Sequence, residues 1–408
     1  MKQTTIYYLT RIFMGISFHM LFTAAGLYRI DVASLKVYEL ILIGSAMEIS
    51  IFIFEVPTGI VADLKSRKLS VIIGLFVMSI GIFIEGLTIV FLLIFLAQFI
   101  WGFGYTFISG ALDAWISDEI KNENIEKVMI QASQGYQLAS VLGIILAAVI
   151  GLKDIRIALF VAGGLSLFLA VFLIFFMKET REREDIKPGQ FYKRYYGQLV
   201  DGFSHIKKHR VLRIMFFIML FYGLYSEGID RTYEVFILDG LDFRTTLDIA
   251  PIWILSIINA SVAIFSYIML NIVKKYLKKG HHIYIWAFNL TLMMILGIIG
   301  FAYLPNIYFA LFGFIFFSIS RGGTYPLLDT ILVKNTPSKV KATVLSSSGQ
   351  LDAIGQLLSG GLMVVLALWF NVTELYLVTA ILLVVPLLLF TRLKNNHIND
   401  SKLLEVNN

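Results

Sequence analysis

The chain has 408 residues, of which 58% are hydrophobic and only 15% charged, with a formal charge of +6 and no cysteine. Soluble domains carry roughly 25% charged residues, so the composition argues against a soluble enzyme. The missing cysteine excludes disulfides, thiolate nucleophiles and cysteine-based metal centres. The Lys and Arg residues gather in a few loops, not on an aromatic-studded basic face, which argues against nucleic acid as a partner.

Apolar runs near the ~20 residues that a bilayer-crossing helix needs recur along the whole chain. They predict twelve spans, at 4–29, 39–62, 69–86, 88–113, 128–151, 155–177, 211–238, 246–273, 282–303, 306–331, 341–367 and 371–393. The first, interrupted by Arg11 and His19, reads as a retained span and not as a cleaved signal peptide. Basic residues fall in alternate connections: Lys65, Arg67 and Lys68; ten between Lys178 and Arg213; Lys274, Lys275, Lys278 and Lys279; and Lys334, Lys339 and Lys341. The opposite loops hold only Arg29, Lys36, Lys153, Arg156 and Arg244. This imbalance predicts a multi-pass protein of the cell membrane with both termini cytoplasmic.

A charge inside hydrocarbon costs at least ~2.5 kcal/mol on insertion scales, so it stays only where a polar cavity or an opposite charge receives it. The intramembrane charges therefore mark the candidate working interior. In the first span Arg11, Gly15 and His19 share a face, and in the second Glu48 and Glu55 lie roughly 10 Å apart along one face. Arg11 and Glu55 both fall toward the cytoplasmic side, and a salt bridge between them is expected. His19 suits a proton relay, its ordinary pKa being about 6.5, although a lone histidine is more often a satisfied polar contact.

In the seventh span Glu227, Asp230, Arg231 and Glu234 recur at helical spacing and project from one stripe. Arg231 is expected to pair with Glu227, leaving Asp230 or Glu234 as a spare carboxylate. Arg321 lies mid-way along the tenth span beside Gly322, Gly323 and Pro326, with Asp352, Glu227 or a substrate acid as its expected partner. Asp352 sits on a small-residue stretch of the eleventh span (Ser346, Ser347, Ser348, Gly349, Gly355) between Gln350 and Gln356. Because burial disfavours a charged carboxylate, the proton-coupling candidates are Glu48, Glu227, Asp230 and Asp352. A purely structural ion-pair cluster is the plainer reading of the same residues. Tyr105, Tyr136, Tyr225 and Tyr325 are candidates to stack on a substrate, with His19, Arg231 and Arg321 beside them, while most aromatics in such a chain simply pack.

An internal repeat divides the chain. Leu112-Asp113 precedes Gln134, and Leu328-Asp329 precedes Gln350, at the same spacing and at matching points of the topology. Repeats of this kind mark pseudo-symmetric transporters, with substrate sites near mid-membrane. The expected domains are a six-helix bundle at 1–177, a cytoplasmic linker at 178–210, a second bundle at 211–393 and a cytoplasmic tail at 394–408.

The second-to-third connection reads Gly59-Ile60-Val61-Ala62-Asp63-Leu64-Lys65-Ser66-Arg67-Lys68. It resembles the loop signature of the major facilitator superfamily, with Ser66 where Gly is usual and Leu64 where a basic residue is frequent. The resemblance covers essentially the whole chain. It implies an all-α membrane protein of twelve transmembrane helices in two pseudo-symmetric six-helix bundles. It also implies a conformational latch built from Gly59, Asp63, Arg67, Lys68 and Asp113 at the inner surface, which Asp118 and Glu119 could extend, although simple surface solvation is the plainer expectation for those two. Gly110-Ala111-Leu112-Asp113-Ala114-Trp115, Ser226-Glu227-Gly228-Ile229-Asp230-Arg231 and Arg321-Gly322-Gly323 resemble bacterial efflux members of the tetracycline and macrolide type. Two departures stand out: Gln98 replaces the buried Arg of the proton-linked motif that Gly102-Phe103-Gly104 resembles, and the fifth span lacks the Gly-Pro pair of drug antiporters.

The expected function is alternating-access, proton-coupled efflux of amphiphilic drug-like molecules, giving multidrug or antibiotic resistance. Uptake of a small metabolite is the alternative that the two departures keep open, and a non-transporting sensor or scaffold is the rival of another class. No Walker lysine accompanies the glycines, and neither a nucleophile–base pair nor a paired-His motif is visible, so neither enzyme activity nor a cofactor is expected. The expected partners are a small-molecule substrate, protons and lipid, with the protein a monomer.

Overall fold

In the computed structural model, residues 1–120, 125–180, 206–243, 249–278, 283–304, 306–337 and 341–406 are described. Residues 181–205 of the expected linker, and Arg244, Lys279 and Lys339, lie outside them. So do the side chains of Lys274, Lys278, Lys341 and Ser346 and those beyond Leu393.

Every regular element among the described residues is helical, and twelve segments are long and apolar enough to cross a membrane. The first half holds α1 (Gln3–Leu27), α2 (Val37–Leu64), α3 (Arg67–Leu87), α4 (Phe91–Ile108), α5 (Ala111–Glu119), α6 (Ile125–Gly151) and α7 (Ile155–Phe176). The second half holds α8 (Arg210–Asp230), α9 (Pro251–Lys278), α10 (Ile283–Tyr303), α11 (Ile307–Lys334), α12 (Lys341–Ala367) and α13 (Val372–Val406). The predicted spans agree with these bounds to within a few residues, except that α13 runs on past the expected end at 393 to Val406, and there are three further physical differences. The eighth begins at Pro251, whose fixed φ and missing N–H suit the first helical position. The fourth breaks into α4 and α5 at Gly110, which adopts φ +72°, a left-handed conformation that glycine reaches without Cβ strain. The seventh also breaks: α8 stops at Asp230, a helical turn follows at Tyr233–Val235, and a wider π turn closes at Phe236–Gly240.

The helices gather into two compact units, one of Met1–Pro188 with Asp242–Ala260 and the other of Gly189–Leu241 with Ser261–Asn408. In the first unit α1 packs on α6 and α7, and α3 on α4 and α7, with α2 against α4. In the second unit α8 packs on α12 and α13, and α10 on α11 and α13.

Glycines set the closest crossings. A Cβ on Gly15 would lie 2.7 Å from the carbonyl oxygen of Tyr136, and one on Gly81 would lie 3.0 Å from the Trp101 amide nitrogen. The same crossings recur in the second unit: a Cβ on Gly223 would overlap the carbonyl oxygen of Asp352, and one on Gly297 would lie 2.6 Å from the Phe317 nitrogen. The π turn at Tyr28–Val32, which ends the first helix, likewise recurs at Phe236–Gly240. The repeat thus extends from residue spacing to backbone contacts, and places His19, Tyr105 and Tyr136 at the positions that Glu227, Arg321 and Asp352 occupy in the second unit.

Candidate functional site

In the second unit, the polar cluster is built on α8, α11 and α12. Arg231, at the end of α8, donates from Nε to Glu227 Oε2 at 3.1 Å, as the one-turn spacing predicts. Arg321 of α11 grips Asp230 with both terminal nitrogens, Nη2 at 2.8 Å from Oδ2 and Nη1 on Oδ1. Three expectations change as a result. The partner of Arg321 is Asp230 and neither Asp352 nor Glu227, and Asp230 is not the spare carboxylate. The stripe from Glu227 to Glu234 is also not one continuous face, because α8 ends between them; Glu234 accepts from Tyr233 Oη instead. A two-pronged guanidinium–carboxylate pair has a geometric specificity that a point charge lacks.

Asp352, on α12, takes no ion pair among the described residues. Its Oδ2 accepts from Gln356 Nε2 at 2.8 Å, while its Oδ1 is shielded from solvent and has no donor. Glu227, Asp230 and Arg321 all act on it electrostatically. Around the cluster stand Tyr222, Tyr225 and Tyr325. Tyr222 meets both of the others edge to face, and its hydroxyl pairs with Thr291 at 2.6 Å. The Arg321 guanidinium lies 5.7 Å from the Tyr225 ring centre and 6.0 Å from that of Tyr325. Tyr225 is fully buried, and its hydroxyl has no hydrogen-bond partner.

The Asp230–Arg321 pair is only partly exposed, 32% and 28% by side chain. Removing Arg321 as Arg321→Met is expected to lower stability by about 2 kcal/mol, with Asp230→Asn in the same background restoring part of it, since the loss comes from the stranded carboxylate. Thermal unfolding of the three variants in detergent measures this. Equal losses for single and double variants would show that no stranded charge is involved.

In the first unit, Arg11 of α1 pairs with Asp113, which also accepts from Tyr7 Oη at 2.6 Å. The expected bridge to Glu55 is absent; Glu55 Oε1 accepts from Ser109 Oγ at 3.1 Å. The break at Gly110 is the reason: it starts α5 afresh and brings Asp113, in its first turn, against α1. Asp113, expected in the latch, pairs here with Arg11 and Tyr7 and makes no ion pair with Arg67. Arg67, at the start of α3, instead binds Asp118 and the carbonyl of Ala114, with Asp63 one turn away at 3.5 Å. Ser66 Oγ and the Arg67 amide donate to Glu179, Lys68 Nζ donates to the Ile174 carbonyl at 2.9 Å, and Glu119 accepts from Thr180. Asp118 and Glu119, expected to be solvated, are therefore both engaged. A Cβ on Gly59 would meet nothing.

The remaining predicted residues of this unit form an aromatic group. His19 meets Tyr136 edge to face at 5.7 Å between ring centres, and Trp101 stacks on Tyr105 at 5.6 Å. Phe18 and Phe22 close on Trp101, whose Nε1 is buried without a partner. Glu48, half-buried on α2, acts with Glu55, Arg11 and Asp113 on Tyr105. Among the described residues, no group of three or more His, Asp or Glu is placed to hold a metal ion.

One site escaped the sequence reading. Glu85, at the last turn of α3, has 0% exposure; it receives Arg29 Nε at 2.8 Å on one oxygen and Gln98 Nε2 at 2.6 Å on the other. Gln98, which stands where the resembled motif has Arg, therefore completes the coordination of a buried acid. The available signal was a carboxylate inside an apolar run, with an Arg in the connection between the first two spans.

A sequence profile of the Major Facilitator Superfamily matches residues 7–360. The chain is 24% identical over 369 residues to "Uncharacterized MFS-type transporter YxaM" of Bacillus subtilis (strain 168), covering 88% of each chain. Its fold is similar to that of the nucleoside transporter NupG, at TM-score 0.77 and 17% identity over 96% of this chain and 99% of NupG. It is also similar to a POT family transporter in complex with 5-aminolevulinic acid, at TM-score 0.73 and 15% identity over 95% of both chains.

Proposed function

Since the chain belongs to the Major Facilitator Superfamily and is a membrane transporter of that type, we propose that it exports amphiphilic small molecules in exchange for protons by alternating access. In this reading it lies in the cell membrane with both termini cytoplasmic, as the basic-loop imbalance argues. The observation that carries the coupling is the state of Asp352: a shielded carboxylate oxygen without a donor, in a cluster whose other two carboxylates are each held by an arginine.

Glu227 and Asp230 gain little from taking a proton, because each would leave its arginine with a weakened partner. Asp352 has no such counter-charge, so a proton is the simplest group to complete it. Loading and release then change the cluster's charge by one, and a ligand or proton shifts a conformational equilibrium only through such differential binding. His19, Tyr105 and Tyr136 serve as substrate contacts in the first unit. The Arg67–Asp118 pair, with Asp63, Lys68 and Gly59, serves as the conformational latch.

Everted vesicles energised to an acid interior test the reading with ethidium, Nile red and anilinonaphthalene sulfonate as cationic, neutral and anionic amphiphiles. Uptake of at least one should collapse when the pH gradient is discharged. Asp352→Asn is expected to lower the gradient-driven component at least tenfold, while Asp352→Glu retains part of it. Undiminished coupling in Asp352→Asn would remove Asp352 from the mechanism.

A second reading, proton-coupled uptake of a small metabolite, is supported by the likeness to nucleoside and peptide transporter structures. Alkalinisation of the medium on adding substrate to whole cells would select it over export.

A further inference from the structure

We propose that the cluster on α8, α11 and α12 selects substrates carrying a single positive charge, an aromatic or amphiphilic organic monocation that occupies Asp352 in alternation with the proton. This rests on the transport reading for the identity of the site and adds to it the charge class of the substrate.

The charges of the cluster argue for it first. Glu227, Asp230 and Asp352 face two arginines, and both arginines are already engaged by the carboxylates of α8. The uncompensated charge is therefore negative and resides on Asp352. An anionic ligand would approach that carboxylate with no free cation in the cluster to receive it. A neutral ligand would leave Asp352 without an ion-pair partner, its Oδ1 still shielded and undonated. A cation answers it.

The surroundings argue the same way. Tyr222, Tyr225 and Tyr325 present ring faces and edges around the cluster, and the Arg321 guanidinium already lies over two of them. Such rings attract cations through their quadrupoles. Both unpartnered polar atoms, Asp352 Oδ1 and Tyr225 Oη, can accept, and a donor or a positive charge would satisfy them.

Helix packing does not require the carboxylate. The α8–α12 crossing is made by the backbone carbonyl of Asp352 against Gly223, and the equivalent crossing of the first unit is made by the backbone carbonyl of Tyr136 against Gly15. A side chain without acid serves that crossing equally well, so the acid at Asp352 answers something other than packing.

The groups acting on Asp352 from the neighbouring helices are Glu227 and Asp230 of α8 and Arg321 of α11, with Tyr325 beside them. Tyr376 of α13 is taken by Thr232. Since the proton and the cation compete for one carboxylate, each cation bound releases up to one proton, and affinity rises with pH until the carboxylate is fully ionised.

Equilibrium binding to the full-length protein in detergent tests this with two probes of the same shape and opposite charge, tetraphenylphosphonium and tetraphenylborate. Tetraphenylphosphonium should bind, more tightly at pH 8 than at pH 6, with a proton release read from the dependence of the binding heat on buffer ionisation. Tetraphenylborate should bind at least tenfold more weakly. Asp352→Asn should lower tetraphenylphosphonium affinity at least tenfold and abolish the proton release, and Asp352→Glu, as a control for folding, should keep both in part. The proposal is overturned if tetraphenylborate binds as well, if tetraphenylphosphonium does not bind, or if Asp352→Asn binds it as the parent does. Selective cation binding without pH-driven transport in vesicles would sink the transport reading and leave this inference standing; pH-driven transport of neutral or anionic probes alone would do the reverse.

Discussion

Glu85→Gln is expected to destabilise the protein by about 3–5 kcal/mol, the range seen when one partner of a buried ion pair is removed. Glu85 has no exposed surface, and the Arg29 side chain is only 11% exposed. A neutral amide at this position removes the negative charge that the buried guanidinium pairs with and turns one of the two acceptor oxygens into a donor. Arg29→Met should cost a similar amount by stranding the carboxylate. The double variant Glu85→Gln/Arg29→Met should cost clearly less than the two singles added together, because it strands neither charge. Unfolding in detergent, followed by temperature or denaturant, reads all three; strict additivity would show that the two side chains are not energetically coupled.

Gly223→Val is the second large effect, an expected loss of more than about 3 kcal/mol or failure to accumulate folded protein. A Cβ at this position overlaps the carbonyl oxygen of Asp352 and lies 2.9 Å from the nitrogens of neither a flexible side chain nor a loop but of the Gln356 backbone. No rotamer change relieves a backbone clash, so α8 and α12 must separate, and that separation displaces Asp352 as well. Gly164→Ala is the matched control: a Cβ there meets nothing within 4 Å, and alanine is favoured over glycine inside a helix by roughly 0.5–1 kcal/mol. Yield and unfolding temperature should therefore fall for Gly223→Val and hold or rise for Gly164→Ala. Parent-like stability in Gly223→Val would mean that the α8–α12 crossing is looser than described.

Hydropathy made the spans legible because the requirement is local: a helix must present apolar residues over its full length, whichever neighbours it has. The Glu227–Arg231 pair was legible for the same reason, since partners one turn apart meet without help from tertiary structure. Partners on different helices were not legible. Arg11 takes Asp113 in place of Glu55 because a single left-handed glycine breaks the fourth span and swings the start of α5 toward α1. Arg321 takes Asp230 because α8 ends there, a boundary that the continuous helical stripe of charges did not disclose. Glu85 was missed because only its three-dimensional neighbours distinguish a buried, fully coordinated acid from one at a helix end facing water.

By itself, the sequence determined that the chain is a bundle of twelve membrane-crossing helices built by repetition, and which ionisable residues had to be sheltered, since both follow from the free energy of placing side chains in hydrocarbon. Only the tertiary structure decided which of those residues neutralise one another and which is left over. Pairing between helices depends on crossing points and helix breaks set by a few glycines, and Asp352 stands apart because every nearby guanidinium is already committed to another carboxylate.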